Sequence, residues 1–355
     1  MPYLPIKEVQ EGQYLGHTIY GGKGNILLRK GVQLHSSYIK KLEARGYQSL
    51  YVMENLEDEV EINDIISPRI RNNAVTLLRK TIRHVANDRA PRVWRDTTEQ
   101  MDRLAHQILI DLEHNESLKA DLLNLKCVSE YTVEHSVNVG ILSGYIGMQR
   151  NLNMKQVRDL IKAGIYHDIG KTFVGKEILD KPAFLTDEEM GEVRKHPKKG
   201  FQLLMNQLNI SPLISVGSHL HHERWDGTGY PNGMQGEQIH LYGRIISVID
   251  VFDAMTSDRI YRKASSNRDV LTYINSQSGS HFDPEVVKIL HETVYPYPTG
   301  SSVQIGNDTV AVVLTNSTEF PWKPLVRVTE PIAQKGEVYD LAKEPAELQI
   351  KGSVI

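Results

Sequence analysis

Hydrophobic residues recur at intervals of three and four through the middle of the chain. One such stripe runs over residues 128–146 and a second over residues 157–168. This spacing places the apolar side chains on one face of an α-helix. We therefore predict two consecutive amphipathic helices, each with one ionisable residue, His135 or Asp168, on its apolar face.

Capping signals predict further helices downstream. Residues 186–189 fit a capping box, and Pro197 is expected to end that helix just after His196. Pro212 stands at the first position of the next helix. Residues from Arg244 to about Ser257 are apolar on nearly every side and include Asp250, so this helix must be buried.

The two ends of the chain carry different patterns. Residues 1–55 combine frequent glycines, short apolar runs and one short helix, which indicates a small mixed α/β module with a regulatory or docking role. Residues 299–355 hold three apolar runs separated by Asn, Pro and Gly, which predicts a small β appendage. Residues 56–125 are predicted to be a helical connector that could carry a homodimer contact. The fold class is therefore multidomain and mainly α.

Composition and charge exclude several classes of protein. The 355 residues are 40% hydrophobic and 24% charged, as in folded globular proteins. The net charge of −3 excludes the overall positive charge that is typical of proteins that bind a nucleic-acid polymer. No apolar run approaches the roughly 20 residues that span a bilayer. The N-terminus lacks a signal peptide, and the single cysteine, Cys127, excludes a disulfide framework. We expect a cytoplasmic protein.

Charge is segregated around the connector. Residues 54–64 carry acids and no base, whereas residues 69–95 carry eight Lys and Arg against the single acid Asp88. We interpret the basic segment as a solvated helical face. Pairing between the two segments and binding of an anionic partner are the alternatives.

Polar residues on apolar helical faces need a separate explanation. A buried His or Asp without a partner is costly. A single buried His is more often a hydrogen-bonded core residue than a ligand, but several helices that deliver His or Asp to one interior favour shared metal coordination. Imidazole and carboxylate suit Mn, Fe, Ni or Zn, and the lack of cysteine ligands argues against a structural zinc.

The spacing around Asp168 suggests metal-assisted chemistry. Lys171 follows His167 by four residues and Asp168 by three, so on a continuing helix the three share a face. A carboxylate can bridge two metal ions, and an ammonium beside it would meet a substrate phosphate.

Five ordered motifs resemble the HD-GYP family of bacterial metal-dependent cyclic di-GMP phosphodiesterases. They are EHS at 134–136, HDIGK at 167–171, HP at 196–197, HHERWDGTGYP at 221–231 and DVFDAMTSDRIYR at 250–262. The resemblance covers residues 126–298. His-Asp alone is a weak signal, whereas the five motifs in this order are highly specific.

The resemblance implies an α-helical HD-superfamily bundle over residues 126–298. This bundle would hydrolyse cyclic di-GMP to linear pGpG by a two-metal-activated hydroxide. The two divalent metal ions would be Fe or Mn first, with Ni or Zn as the alternatives. The implied metal ligands are His135, His167, Asp168, His196, His221, His222 and Asp250.

The resemblance also implies roles around the metals. Asp168 is the expected bridge, and Lys171 matches the lysine that contacts the phosphate, so these two are the expected catalytic residues. Asp253 matches a position that supports a ligand without binding the metal. Three residues match positions that hold the substrate: Tyr230, Arg259 and Arg262.

One departure from the family pattern bears on the number of metals. Members with three metals have a glutamate one helical turn before the first His, where this chain has Tyr131. We therefore expect two metals and pGpG as the product, with onward hydrolysis to GMP as the alternative.

Two other functions fit the same residues. The site could retain a cyclic dinucleotide or a metal as a sensor module with weak or no turnover. It could also belong to a di-iron oxygenase or another nucleotide phosphohydrolase on the HD scaffold. A mixed cyclic dinucleotide stays open as the substrate beside cyclic di-GMP.

Overall fold

The structure is a computed structural model with a helical bundle between two small β-containing modules. It describes residues 3–21, 25–45, 47, 49–53, 65–86, 91–115, 131–181, 183–257, 264–306 and 308–354. Among these residues, the helices are too short or too polar to cross a membrane. The prediction of a mainly α protein with a small module at each end is confirmed.

The N-terminal module packs one helix against short strands. Strands β1 (Tyr3–Pro5), β5 (Ser49–Met53) and β2 (Tyr14–Leu15) form an antiparallel sheet in that order, and β3 (Ile19–Tyr20) pairs with β4 (Ile26–Leu28). Helix α1 (Ser36–Ala44) lies between β4 and β5 in the chain. A small separate core holds the module together; its fully or nearly fully buried members include Leu15, Leu34, Leu42 and Val52.

The C-terminal module is a five-stranded antiparallel sheet. Its strand order is β10-β6-β7-β8-β9, and the strands are β6 (Ser302–Ile305), β7 (Thr309–Thr315), β8 (Leu325–Glu330), β9 (Val338–Asp340) and β10 (Ile350–Val354). Buried and less buried residues alternate along β6 and β8, as expected for strands that cover one core. The buried residues form a core of their own.

Eleven helices occupy the described residues between the two modules. They are α2 (Pro68–Ala86), α3 (Pro91–His114), α4 (Tyr131–Gln149), α5 (Met154–Tyr166), α6 (Lys176–Leu179), α7 (Asp187–Val193), α8 (His196–Asn206), α9 (Pro212–Leu220), α10 (Leu241–Thr256), α11 (Asn267–Ser276) and α12 (Pro284–Thr293). Apolar side chains of α2 and α3, such as Leu78 and Ile108, belong to the same core as those of α4, α5 and α10. Helices α2 and α3, which lie in the segment predicted as a connector, therefore pack as part of the bundle.

Glycines allow α4 and α5 to cross at backbone contact. A Cβ atom on Gly164 of α5 would lie 2.6 Å from the Cα of Gly140 on α4, and one on Gly140 would lie 2.4 Å from Cγ1 of Ile165. No side chain fits between the helices at this point. The close crossing brings the residue that follows α5, His167, towards His135 on α4.

Helix α5 ends earlier than predicted. It stops at Tyr166, and a 3-10 helix over Ile169–Phe173 follows, so the continuing helix on which His167, Asp168 and Lys171 would share a face is not present. The chain tightens here because it packs on α8: a Cβ on Gly170 would lie 2.0 Å from the carbonyl oxygen of His196.

The role predicted for Pro197 is also wrong. The capping box at Thr186 does open α7, but α7 ends at Val193, and Pro197 lies in the first turn of α8. The sequence is ambiguous at this point because a proline is tolerated in a first helical turn, where its missing N–H is not needed. His196 is consequently the first residue of α8, not the last residue of α7.

Candidate metal centre

Seven His and Asp side chains converge inside the bundle in two groups. The α4/α10 group consists of His135, His167 and Asp250. The α8/α9 group consists of Asp168, His196, His221 and His222. Within each group, one ligand atom per residue lies within 4.8 Å of the others. The structure thus brings together all seven residues that the sequence predicts as ligands.

Helix ends deliver most of these side chains. His167 and Asp168 follow the end of α5, His196 begins α8, and His221 and His222 directly follow α9. Two neighbours on a regular helix diverge by roughly 100°. The helix end at Leu220 is what lets His221 and His222 reach the same site.

The Asp168 carboxylate lies between the two groups. Its Oδ2 atom is 3.4 Å from Nε2 of His167, which belongs to the α4/α10 group. Its Oδ1 atom is 3.3 Å from Nε2 of His196 and 3.7 Å from Nε2 of His221. One oxygen therefore faces each group, which is the arrangement that a bridging carboxylate requires.

Backbone carbonyls fix the orientation of three imidazoles. Nδ1 of His167 donates to the carbonyl of Gly164 at 2.7 Å, and Nδ1 of His196 donates to that of Val193 at 2.6 Å. Nδ1 of His221 donates to the carbonyl of Ser218 at 3.0 Å. A carbonyl oxygen can only accept, so Nδ1 carries the proton and Nε2 turns its lone pair into the site.

The inward-facing atoms form a cluster of acceptors that a cation would satisfy. Nε2 of His196 and Nε2 of His221 are 3.3 Å apart, and both face Asp168. Nε2 of His167 and Oδ1 of Asp168 are buried without a hydrogen-bond partner. Buried acceptors without donors are unfavourable. The donor set of imidazole nitrogens and carboxylate oxygens therefore fits divalent metal ions.

The shifted pKa values of three residues in the α8/α9 group, Asp168, His221 and His222, favour this donor set. Burial lowers the pKa of His221 to about 4. Burial and the neighbouring His221 hold the pKa of His222 well below its usual value. Burial acts to raise the pKa of Asp168, but the charge of Lys171 and the contacts with the neighbouring imidazoles outweigh it and hold that pKa well below its usual range. Neutral imidazole and ionised carboxylate are the ligating forms.

Two carboxylates surround His135 in the α4/α10 group. Its Nδ1 donates to Oδ2 of Asp253 at 2.7 Å, and its Nε2 lies 2.9 Å from Oδ1 of Asp250. Burial acts to lower the pKa of His135, but the hydrogen bonds to Asp250 and Asp253 raise it to about 9. Asp253 and Asp250 therefore contact opposite nitrogens of the His135 ring, and the supporting role of Asp253 stays a prediction.

Lys171 and Tyr230 lie next to the ligands. Nζ of Lys171 is 2.5 Å from Oδ2 of Asp168. The ring of Tyr230 stacks on that of His222, with centroids 4.8 Å apart and planes 21° apart. The guanidinium of Arg194, at the end of α7, lies 5.5 Å from the centroid of the Tyr230 ring. The other two predicted substrate residues, Arg259 and Arg262, lie outside the described residues.

Glu223 holds the loop that carries Tyr230, a role that the sequence analysis missed. Its side chain is only 2% exposed and accepts hydrogen bonds from the backbone N–H groups of Asn232 at 2.7 Å and Met234 at 3.0 Å. A Cβ on Gly229 would lie 2.3 Å from the backbone nitrogen of Arg224, so only glycine fits there. The acids of this segment gave no signal to distinguish buried Glu223 from exposed Asp226.

The remaining histidine of this region does not join the cluster. His219 is half-buried, and its Nε2 lies 3.1 Å from the amide nitrogen of Asn232. Its ring packs near Phe201, with centroids 5.0 Å apart. It lies in α9, two residues before His221, and therefore points to a different side of the helix.

Two known proteins are similar in sequence to this chain over most of its length. A cyclic di-GMP phosphodiesterase of Pseudomonas aeruginosa is 36% identical over 273 residues, which cover 77% of this chain and 64% of that protein. A cyclic di-GMP phosphodiesterase of Thermotoga maritima is 30% identical over 274 residues, which cover 70% of this chain and 73% of that protein. The chain thus spans less than two thirds of the first relative.

The comparison also covers family and fold. A sequence model of the HD domain matches residues 117–286. The solved structure of an HDG"Y"P protein from Bdellovibrio bacteriovorus has a TM-score of 0.54 at 14% identity, over 82% of this chain and 98% of that one, which is a likeness of fold. Because the HD-GYP motifs meet at one buried site and the alignment spans most of the Thermotoga relative, this chain belongs to the HD-GYP family.

Proposed function

We propose that this protein is a metal-dependent phosphodiesterase that hydrolyses cyclic di-GMP to linear pGpG. The observation that carries the proposal is the pair of buried acceptor groups joined by Asp168, whose oxygens face His167 on one side and His196 on the other. The two relatives named for cyclic di-GMP phosphodiesterase activity support the choice of substrate.

The proposed metal complement is two divalent cations, one in each group, with Fe or Mn as the first choice and Ni or Zn as the second. The α4/α10 group contributes one carboxylate, Asp250, and the α8/α9 group contributes one, Asp168. With neutral imidazoles, two divalent cations outweigh these two negative charges. The site would then attract an anionic phosphodiester.

The residues of this chain would orient the substrate around that charge. Divalent cations in a paired site supply water of lowered pKa and offset the charge that develops on phosphoryl oxygens. Lys171 would meet the same phosphate as a point charge, because its Nζ lies 2.5 Å from the Asp168 carboxylate. Tyr230 would offer an aromatic face to the dinucleotide, held in place by stacking on His222.

Arginines complete the proposed substrate contacts. Arg259 and Arg262 follow α10 in the sequence and keep their predicted role as substrate residues. Arg194 adds a cation over the Tyr230 ring. A cyclic dinucleotide carries two phosphates, and cations on more than one side of the metals suit two anionic groups.

The proposed product follows from the residue before the first ligand. Tyr131, the first residue of α4, stands one helical turn before His135, at the position where HD-GYP members with three metals have a glutamate. A two-metal site and release of pGpG are therefore proposed, with GMP as the alternative end product.

A product assay tests the function. The full chain, purified without oxygen and loaded with Fe(II) or Mn(II), is incubated with cyclic di-GMP, and pGpG and GMP are resolved by chromatography. We expect pGpG to accumulate and chelator treatment to stop it. Tight binding of intact cyclic di-GMP by the metal-loaded protein without turnover would support the sensor alternative instead. Faster turnover of 3′3′-cGAMP would reassign the substrate.

A further inference from the structure

A hydrogen-bonded chain of side chains connects helix α2 to the α4/α10 group. Nη1 of Arg71, in α2, donates to Oδ1 of Asn138 at 2.7 Å. Nδ2 of Asn138 donates to Oδ1 of Asp253 at 3.2 Å. Nδ1 of His135 donates to Oδ2 of the same Asp253 at 2.7 Å. The chain thus runs from α2 through α4 to α10 and back to a proposed metal ligand.

The chemistry of Arg71 sets the donor and the acceptor in each hydrogen bond of this series. A guanidinium can only donate, so it selects the orientation of the Asn138 amide in which the carbonyl faces α2. The NH₂ end of Asn138 then faces Asp253. With one carboxylate oxygen accepting from Asn138 and the other from His135, Asp253 keeps the His135 proton on Nδ1. Nε2 of His135 is left to face Asp250.

Burial makes this directionality matter. Asn138 is 4% exposed and Asp253 is 3% exposed, so water cannot readily replace a lost partner. If the Asn138 amide turned by 180°, its carbonyl would face a carboxylate oxygen, and two acceptors would meet in the core. The guanidinium of Arg71 disfavours this arrangement because it would then meet the NH₂ end of the amide.

The position of Arg71 in the sequence is also informative. Arg71 precedes the HD-domain match, which begins at residue 117. It belongs to the basic segment that the sequence predicts to be a solvated face, but its side chain is partly buried against α4. A residue outside the matched domain therefore contacts the support of a ligand inside it.

We propose that Arg71 is a positioning residue for the metal centre, which acts through Asn138 and Asp253 to hold His135 in its ligating orientation. The inference rests on the proposed function, because it requires His135 to bind a metal. It follows that the position of α2 relative to α4 sets the metal affinity of the α4/α10 group. In the α8/α9 group, the imidazoles of His196 and His221 are oriented by backbone carbonyls three residues earlier in the chain, so we expect its metal affinity to change less.

Manganese binding by the metal-free full chain tests this inference. Wild-type protein and the Arg71→Ala, Arg71→Lys and Arg69→Ala variants are titrated with Mn(II) against a competing chelator. Loss of a group that orients a metal ligand weakens affinity by roughly 10–100-fold. We expect Arg71→Ala to weaken one of the two sites by about 10-fold and Arg71→Lys to restore part of the loss. Arg69→Ala, an exposed arginine of the same helix, should match wild type.

Thermal unfolding of the metal-free variants separates positioning from folding. A positioning role predicts that Arg71→Ala weakens one site selectively and that the metal-free melting temperature changes little. Equal weakening of both sites together with a large fall in that temperature would overturn the inference, as would wild-type affinity at both sites.

A second variant covers the case in which Arg71→Ala does not fold. Asn138→Asp keeps a partner for Arg71 but places an acceptor against Asp253, so we expect it to weaken the same single site. Wild-type affinity in this variant would overturn the inference. If wild-type protein itself binds no manganese, the proposed metal centre fails and the inference fails with it. If wild-type protein binds two manganese ions and every variant binds them with the same affinity, the inference is contradicted while the proposed metal centre stands.

Discussion

The two ligand groups of the metal centre are held in different ways. In the α8/α9 group, His196 and His221 are oriented by carbonyls three residues earlier in the chain, those of Val193 and Ser218. In the α4/α10 group, His135 depends on Asp253, which is 118 residues away in the sequence. The orientation of His196 and His221 is therefore set by local backbone geometry, whereas that of His135 is set only when α4 and α10 pack together. Five substitutions, two of them with a matched control, test how the site is held.

The largest effect is expected from Asp168→Ala, since this carboxylate faces both groups. We expect the variant to lose both metals and at least about 100-fold of its phosphodiesterase activity. Metal content per chain and initial rates of cyclic di-GMP hydrolysis measure this. Asp187→Ala, an exposed acid at the start of α7, is the control and should retain both properties. Two metals per chain in Asp168→Ala would show that the groups are independent.

Single-ligand substitutions should separate the groups. His135→Ala is expected to remove the metal of the α4/α10 group and leave the other, because His196 and His221 keep their carbonyl partners. His222→Ala should remove the α8/α9 metal instead. Elemental analysis of each variant should give about one metal per chain. Loss of both metals from His135→Ala would show that the α8/α9 group does not hold its metal independently of His135.

A packing substitution should affect the fold on which the α4/α10 group depends. In Gly164→Ala, the new methyl group would lie 2.6 Å from the Cα of Gly140, so α4 and α5 must move apart. We expect the metal-free protein to lose about 1–3 kcal/mol in free energy of unfolding. Denaturant unfolding measures this. Gly191→Ala, in α7 with open space around its Cα, is the control and should be slightly more stable than wild type.

The smallest effect is expected from Glu223→Gln. The amide keeps one acceptor for the backbone N–H groups of Asn232 and Met234 but sets an NH₂ group against the other. The Tyr230 loop should then shift, and KM for cyclic di-GMP should rise by about 5- to 10-fold while metal content stays at the wild-type value. Steady-state kinetics measure the change. Loss of metal in this variant would mean that the loop also supports the ligands.

Much of the site could be predicted from the sequence because its chemistry is carried by ordered motifs. His and Asp on apolar stripes signal a buried function whatever the exact ends of the helices. The predicted ligands meet even though α5 stops at Tyr166 and Pro197 begins a helix. Helix boundaries were less predictable, since a proline marks the start and the end of a helix equally well.

The supporting residues could not be predicted. Arg71 and Asn138 are 67 residues apart, and Asn138 and Asp253 are 115 residues apart, so no local pattern links them. Glu223 is an acid among other polar residues until the loop folds around it. The domain limits at residues 55, 125 and 298 and a homodimer contact through the connector stay predictions.

Elemental analysis of the wild-type chain, purified without oxygen from metal-replete cells, tests the central claim most directly. Two buried acceptor groups joined by Asp168 predict two divalent cations per chain, both removed by a chelator and both restored by added Fe(II) or Mn(II). A chain that is folded but holds no metal under these conditions would contradict the account of the site.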